Sequence, residues 1–497
     1  MEGNYIFHVC EFICTFAMLN LHGMKKILAF VLVATVLTVP TYAKPVDQEL
    51  ALKVAKVMLA SQGAKEVESL RLVENDIEWL YIFSGRECFA IVSASDVCHP
   101  VAGYSTEVSL DINEIAPATQ YWIEQYAEQV AFAEENGLAA SKEIDEEWAR
   151  LKEGKGPRDK YSEKVSPLVK SKWGQGYPYN AKCPTVGGSH VVPTGCVATA
   201  AAQVMRYWGW PEHGKGQHSY TYEGNPNAVE VWPFGELSCD FENTTFDWNN
   251  MPDTLLVSSG EAAIEAVSTL MYACGVAFDM MYNESGSGAF LMEENVLYDT
   301  TRHIPIDAAV EFRIVEYLDY ASSIAGEMRM DHSDEDWVML MKEELTAGRP
   351  MIYTGFKFDE NGIATGGHAF VVDGYNKPGY FHINWGWNGS ADAYFGVSAM
   401  NPNGYSFNDR QGALMNLKPS TLQSISDKVS ETKPMIYTAG RTIVIKGAEG
   451  QRMSIYDVMG RMVTSATITD TTEKYSISKS GIYIVRTGEK VQKVHVR

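Results

Sequence analysis

Basic side chains are what this sequence is short of. Its 41 lysines and arginines stand against 63 aspartates and glutamates, a net charge of −22 over 497 residues. A protein that grips nucleic acid needs clustered cations to displace phosphate counterions, and no such cluster occurs, so nucleic acid is not an expected partner. Cysteine is scarce as well, at eight in the whole chain. The spacing is irregular and there is no C-x-x-C, which indicates neither a disulfide scaffold nor a metal site. Long apolar runs are missing too. The longest approach to one, Ile27 to Val39, is too short to cross a bilayer comfortably.

That run has another use. Lys25 and Lys26 precede it and Thr41-Tyr42-Ala43 follows it, which together read as a signal peptide starting at Met24. Residues 1–43 then form the leader, with 1–23 an over-called start; a permanent N-terminal anchor is the other reading. No cysteine follows the cleavage site, so a lipid anchor there is not expected. The remainder, within a chain that is 45% hydrophobic and 21% charged, reads as globular and is long enough for several domains.

Three units follow. Residues 44–163 hold WLYIFSGRECFAIVSASDVCHPVAGYS, which reads as strands and turns. Tyr121, Ile123, Tyr126, Val130 and Phe132 then recur at helical spacing. This unit ends in KEIDEEWARLKEGKGPRDKYSEK, read as an exposed, cleavable linker with little to bury. Residues 164–420 mix short helices with strands such as HAFVVDGY and YFHINW. Residues 421–497 begin with a polar linker and continue as short β-rich pieces with glycine at the turns, the pattern of a small antiparallel sandwich.

The chemistry gathers in the middle unit. In VVPTGCVATAAAQVMRYWGWP, Cys196 opens a helix built from Ala198, Ala200, Ala201 and Ala202 and closed by Gly209-Trp210-Pro211. A helix N-terminus offers unpaired N–H groups and partial positive charge, which favour the thiolate a nucleophile needs. Alone, Cys196 reads better as a buried core cysteine on an Ala-rich helix. Its company changes that. GGHAFVVDGYN supplies His368 as an imidazole to pair with sulfur and protonate a leaving amine, and FHINWGWNGS supplies Asn384 and Trp385 to orient and shield that ring. Gln175, in KWGQGYPYN, and the backbone N–H of Cys196 are candidate oxyanion donors; alone, Gln175 reads equally as a loop residue.

WGQGYPYN, PTGCVATAAAQVMRYW, GGHAFVVDGY and FHINWGWNG together resemble the streptopain family of secreted papain-fold cysteine peptidases. FAIVSASDVCHPVAGYS and the helix after it resemble that family's propeptide. The resemblance implies an α+β fold: a two-lobed papain-like peptidase with an N-terminal α+β propeptide and a C-terminal β-sandwich. It implies a cofactor-free endopeptidase acting on proteins and peptides, made as a zymogen and inhibited by its own propeptide until cleavage near 160–165. Cys196 is the implied nucleophile, His368 the general acid/base, Gln175 an oxyanion donor, and Asn384 and Trp385 the histidine's supports. SGSG at 285–288 looks like a substrate-binding loop, which suggests Ser287 and the backbone of Gly367 as contacts; a flexible Gly-Ser loop is the plainer reading. NPNGYSFNDRQGAL is shorter and poorer in glycine than the mobile loop of streptopain itself.

SIYDVMGRMV and GIYIVRTGEKVQKVHVR resemble C-terminal sorting domains of the type IX system of Bacteroidetes. That implies export machinery as a partner and a secreted or surface location; an appended binding sandwich is the alternative. Other clusters take bland readings. His213 and His218 read as a solvated loop, DHSDEDW as an acidic helix N-cap, and KEIDEEWARLKE as a solvated helical or linker surface. Two functions compete with the peptidase: a catalytically silent adhesin on the same fold, and a transglutaminase or amidase using the same triad. The full Cys, His, Asn, Trp and Gln set favours an enzyme over the adhesin, and casein digestion against amine incorporation separates peptidase from transglutaminase or amidase.

Overall fold

The structure, a computed structural model, describes residues 45–222, 234–293, 295, 306–358, 364–397, 411–422, 434–439, 441–470, 472–488 and 490–496. The leader and most of the NPNGYSFNDRQGAL loop lie outside the described residues.

A ten-stranded antiparallel sheet organises the molecule. Its neighbours run Arg71–Leu72, Leu80–Ser84, Phe89–Ser93, Val101–Ser105, Ala393–Phe395, Phe381–Asn384, Ala364–Tyr375, Met351–Phe358, Gly412–Met415 and Ala325–Met328. The first four strands come from the N-terminal unit and the other six from the middle unit, so the boundary read near 163 divides the chain but not the sheet. At the seam Tyr394 faces Tyr104 and Phe395 faces Gly103. Glycine is required there: a Cβ on residue 103 would lie 2.4 Å from the Phe395 ring.

Alternation along Ala364–Tyr375 decides what each face covers. Ala369 and Val371 point into one core with helices α4 (Cys196–Trp208), α5 (Glu261–Ala277) and α6 (Val310–Tyr317). Phe370 and Val372 point into another, against α2 (Pro117–Glu135) and α7 (Asp334–Thr346). This second core belongs to both units, since Ile82, Phe89 and Trp122 share it with Tyr353, Phe370 and Trp385. A third core lies between the N-terminal strands, α1 (Gln48–Ser61) and α3 (Lys142–Lys152).

Local chemistry accounts for the helix ends. Ser333 caps α7 by accepting from the N–H of Asp336, and Asp334, Glu335 and Asp336 fill its first turn, as an acidic cap should. The first half of KEIDEEWARLKEGKGPRDKYSEK takes the helical alternative and forms α3, capped by Ser141, but it is not purely solvated surface. Its charges hid two apolar residues one turn apart: Trp148 and Leu151 are fully buried, and the Trp148 indole donates to the Cys98 carbonyl.

The C-terminal residues form two facing sheets. Met435–Ala439, Thr442–Lys446 and Thr472–Ser476 make one; Met462–Thr467, Arg452–Asp457, Gly481–Thr487 and Lys490–Val496 make the other. Ile443, Ile445, Ile455, Val485 and Val496 lie in the core between them.

Candidate active site

Helix α4 begins at Cys196 because Gly195 turns the chain with φ +87°, in the left-handed region. A Cβ at 195 would also approach the Ser287 carbonyl to 2.8 Å and the Met280 sulfur to 2.9 Å. The 285–288 loop therefore borders the chain immediately before the sulfur. Ala198, Ala200, Ala201 and Ala202 are all buried, so the helix passes through the core at close range. Gly209, in the left-handed conformation, ends it.

The half-buried Cys196 sulfur accepts a hydrogen bond from the Ala369 N–H at 3.4 Å. Burial pushes its thiol above the ordinary value, against the N–H groups of Ala369, Val197 and Cys196 itself, which favour the thiolate. Burial likewise pushes the His368 imidazole below its ordinary value.

His368 precedes Ala369 on the same strand, so alternation turns it toward the face that carries Phe370 rather than toward α4. There it meets Tyr121 of α2, with ring centroids 6.4 Å apart at 43°. The strand thus brings Cys196 beside the residue next to His368, while Tyr121 of the N-terminal unit lies near the imidazole.

Asn384 is buried, and its amide is engaged away from His368. Its Oδ1 accepts from Gln203 Nε2 and the Gly386 N–H, both at 3.0 Å. Its Nδ2 donates to the Ser171 carbonyl at 2.8 Å. Trp385 does not cover an Asn384–His368 bond here. It packs on Phe370 at 4.8 Å, Phe395 at 5.3 Å and the N-terminal unit's Trp122 at 6.2 Å, and its Nε1 donates to the Ala391 carbonyl. Trp385 belongs to the core shared with the N-terminal unit, while the neighbouring Asn384 amide reaches α4 through Gln203.

Gln175 is half-buried on a loop tied to the start of α4 by the Thr194 N–H, which donates to its carbonyl at 3.0 Å. Ser287 is buried, and its hydroxyl donates to the Pro193 carbonyl at 2.6 Å and accepts from the Asn283 N–H at 3.2 Å. It holds the 285–288 loop together, so the loop's backbone carbonyl, not the serine hydroxyl, faces Gly195. Gly367 is exposed beside His368.

Two features had no sequence signal. Gln203, fully buried two turns below Cys196, links α4 to Asn384. Behind the site, His382 Nδ1 lies 2.6 Å from Asp373 Oδ1, and Asp373 Oδ2 accepts from the Val169 N–H at 2.8 Å. Burial works against the His382 imidazolium, but the adjoining Asp373 carboxylate wins and raises it. Burial also pushes the nearby Asp392 carboxyl up to about 7, opposed by His382 and by the Trp385 N–H donating to it. His218 departs from its solvated-loop reading: it lies on strand Gln217–Tyr222, with Nε2 2.6 Å from Asp279, while His213 stays exposed. Among the described residues, no three His, Cys, Asp or Glu side chains converge as a metal site would require.

Comparison with known proteins adds to this geometry. The sequence profile of the peptidase C10 family matches residues 173–395, and that of the Spi protease inhibitor matches residues 43–130. Residues 424–496 match a domain of unknown function (DUF6383). Streptopain of Streptococcus pyogenes is 29% identical over 384 residues, spanning 72% of this chain and 86% of streptopain. A thiol protease/hemagglutinin of Porphyromonas gingivalis is 28% identical over 381 residues, spanning 72% of this chain but 39% of that one. The solved structure of a prointerpain A fragment from Prevotella intermedia is similar with a TM-score of 0.51 and 32% identity, covering 70% of this chain and 98% of the fragment.

Proposed function

This chain belongs to the peptidase C10 family, and from that premise we propose a residue-level mechanism and route of maturation. It is a cysteine peptidase that carries its own propeptide inhibitor domain, in a zymogen fold. Cys196 is the nucleophile. As thiolate it attacks the scissile carbonyl to form a tetrahedral oxyanion, held by the Gln175 side chain and the Cys196 N–H. Collapse gives a thioester on Cys196, and the His368 imidazolium passes its proton to the departing amine. Neutral His368 then takes a proton from water, which attacks the thioester and restores the thiolate. Asn384 and Trp385 support the imidazole, and Gly367 and the Ser287 loop contact substrate.

The observation that carries this reading is the Cys196 sulfur at the head of α4, hydrogen-bonded to the neighbour of His368 while Tyr121 rests against the imidazole. Residues 44–163 act as the propeptide, 164–420 as the peptidase and 421–497 as linker and sorting sandwich. Cleavage near 160–165 frees α2, and with it Tyr121, so that His368 turns to the sulfur. The leader and the C-terminal sandwich direct export, the latter through a type IX system, to the cell surface or the medium.

Replacement of Cys196 by alanine tests the core of this. Casein hydrolysis is expected to vanish, and the purified variant to keep its propeptide. Residual hydrolysis by Cys196→Ala would remove the sulfur from the mechanism. Asn384→Ala is expected to lose less activity than His368→Ala, because orientation is only part of what the histidine needs. Terminal mapping of protein from culture medium tests the leader, the processing site and the sorting tail together.

A further inference from the structure

Gln203 stands on the face of α4 that carries Cys196, seven positions on. It is 0% exposed, and a primary amide so deep in a helix is costly unless every polar atom finds a partner. It does. Its Nε2 donates to Asn384 Oδ1 at 3.0 Å. Its Oε1 accepts from the Trp173 N–H at 3.1 Å, from Ser171 Oγ at 3.2 Å and from Asn384 Nδ2 at 3.3 Å. One side chain therefore ties together the nucleophile's helix, the loop that leads into Gln175 and the turn that carries Asn384. Thr199 completes the strut: its hydroxyl donates to the Gly195 carbonyl at 2.9 Å, and its methyl lies 3.1 Å from where a Cβ on Gly386 would sit.

From this junction we infer that Gln203 is a positioning residue for the peptidase reaction, fixing the Asn384 amide relative to Cys196. It touches no reacting atom. In the proenzyme Gln203 Nε2 occupies Asn384 Oδ1, the acceptor that supports the imidazole once His368 turns inward. An amide donor suits this role because it holds the oxygen's orientation without a charge that would perturb thiolate or imidazole. The carboxamide also supplies donor and acceptor together, so Asn384 cannot rotate end for end without losing both bonds.

The inference rests on the assignment of Cys196 and His368 given above, and the test separates the two. Gln203→Met keeps the volume without the hydrogen bonds, and Gln203→Glu keeps the shape while placing an acceptor against Asn384 Oδ1. Each is made in wild-type and Asn384→Ala backgrounds and measured on processed enzyme, with active sites counted by a thiol-reactive epoxide. Loss of positioning is expected to lower kcat roughly ten- to a hundredfold with little change in KM. The imidazole limb of the pH–rate profile should shift. In the Asn384→Ala background the same substitutions should cost little more, because the route through Asn384 is already gone. Wild-type kcat and pH profile in both variants would overturn the inference, as would losses that simply add to that of Asn384→Ala. Should Gln203→Met fail to fold, Gln203→Glu alone decides by the same criteria. Activity surviving in Cys196→Ala would instead overturn the nucleophile assignment, a different failure.

Discussion

The two ends of this chain attach to the peptidase in opposite ways. The N-terminal unit continues its sheet, shares its second core and adds cross-unit hydrogen bonds: Tyr380 OH to the Val101 carbonyl, Gly396 N–H to the Ala102 carbonyl, and Tyr126 OH to the Gly396 carbonyl. The C-terminal sandwich keeps a core of its own, and Lys493 reaches Asp331 across a half-exposed 3.5 Å ion pair. One attachment is as much folding as docking; the other behaves as tethering. An inhibitor must be bound firmly and released once, and it gains firmness by completing the enzyme's own core. A passenger sandwich needs no such stake in its carrier.

Substitutions can break or sharpen that contrast. The largest expected effect is from Trp122→Ala, whose ring packs against Phe370, Trp385 and Tyr353. Truncating it should cost the proenzyme about 3–5 kcal/mol, read as the denaturant midpoint, while enzyme freed of its propeptide keeps its stability. Equal losses in both forms would show that the propeptide's core is not shared. Next is Gly103→Val, which pushes a side chain into Phe395 at the seam. Overpacking of this kind costs about 1–3 kcal/mol and should speed release of the propeptide, followed as the rate at which mature protein appears on a gel.

Asp392→Asn probes the buried charges behind the seam through pH. Asp392 and His382 are both raised in the folded state. Their contribution is fully present below the unfolded values and lost as pH climbs through the folded ones. The proenzyme's thermal midpoint should therefore fall as pH rises from about 4 to about 7 through Asp392, and further above the ordinary imidazole value through His382. Asp392→Asn should flatten the lower part of that slope; an unchanged slope would place the titration elsewhere. The smallest effect belongs to Lys493→Ala. Loss of an exposed pair is worth about 0.2–1 kcal/mol at most, and casein hydrolysis should not change.

How far the sequence anticipates this architecture depends on the range of the cause. Strands such as Leu80–Ser84 and Phe89–Ser93, and helices such as α2 and α4, follow from apolar period and caps, which act within a few residues. The buried face of α3 escaped because Trp148 and Leu151 were outnumbered by charge, and charge density resembles solvated surface until one asks what two apolar residues a turn apart would bury. The seam was invisible, since pairing Tyr394 with Tyr104 depends on nothing near either residue. In the candidate site, motif order singles out residue types. It does not reveal their present partners: Asn384 reaches Gln203 from 181 positions away, and a lone glutamine inside an alanine-rich helix gives no hint of three segments converging on it.

The seam strand Ala393–Phe395 is only three residues long. Once a propeptide leaves, that strand becomes the open border of the remaining sheet, with unsatisfied backbone groups facing water. A long, flat border would invite a second molecule to zip on and begin a fibre. So brief a border offers little ladder on which a second molecule could pair.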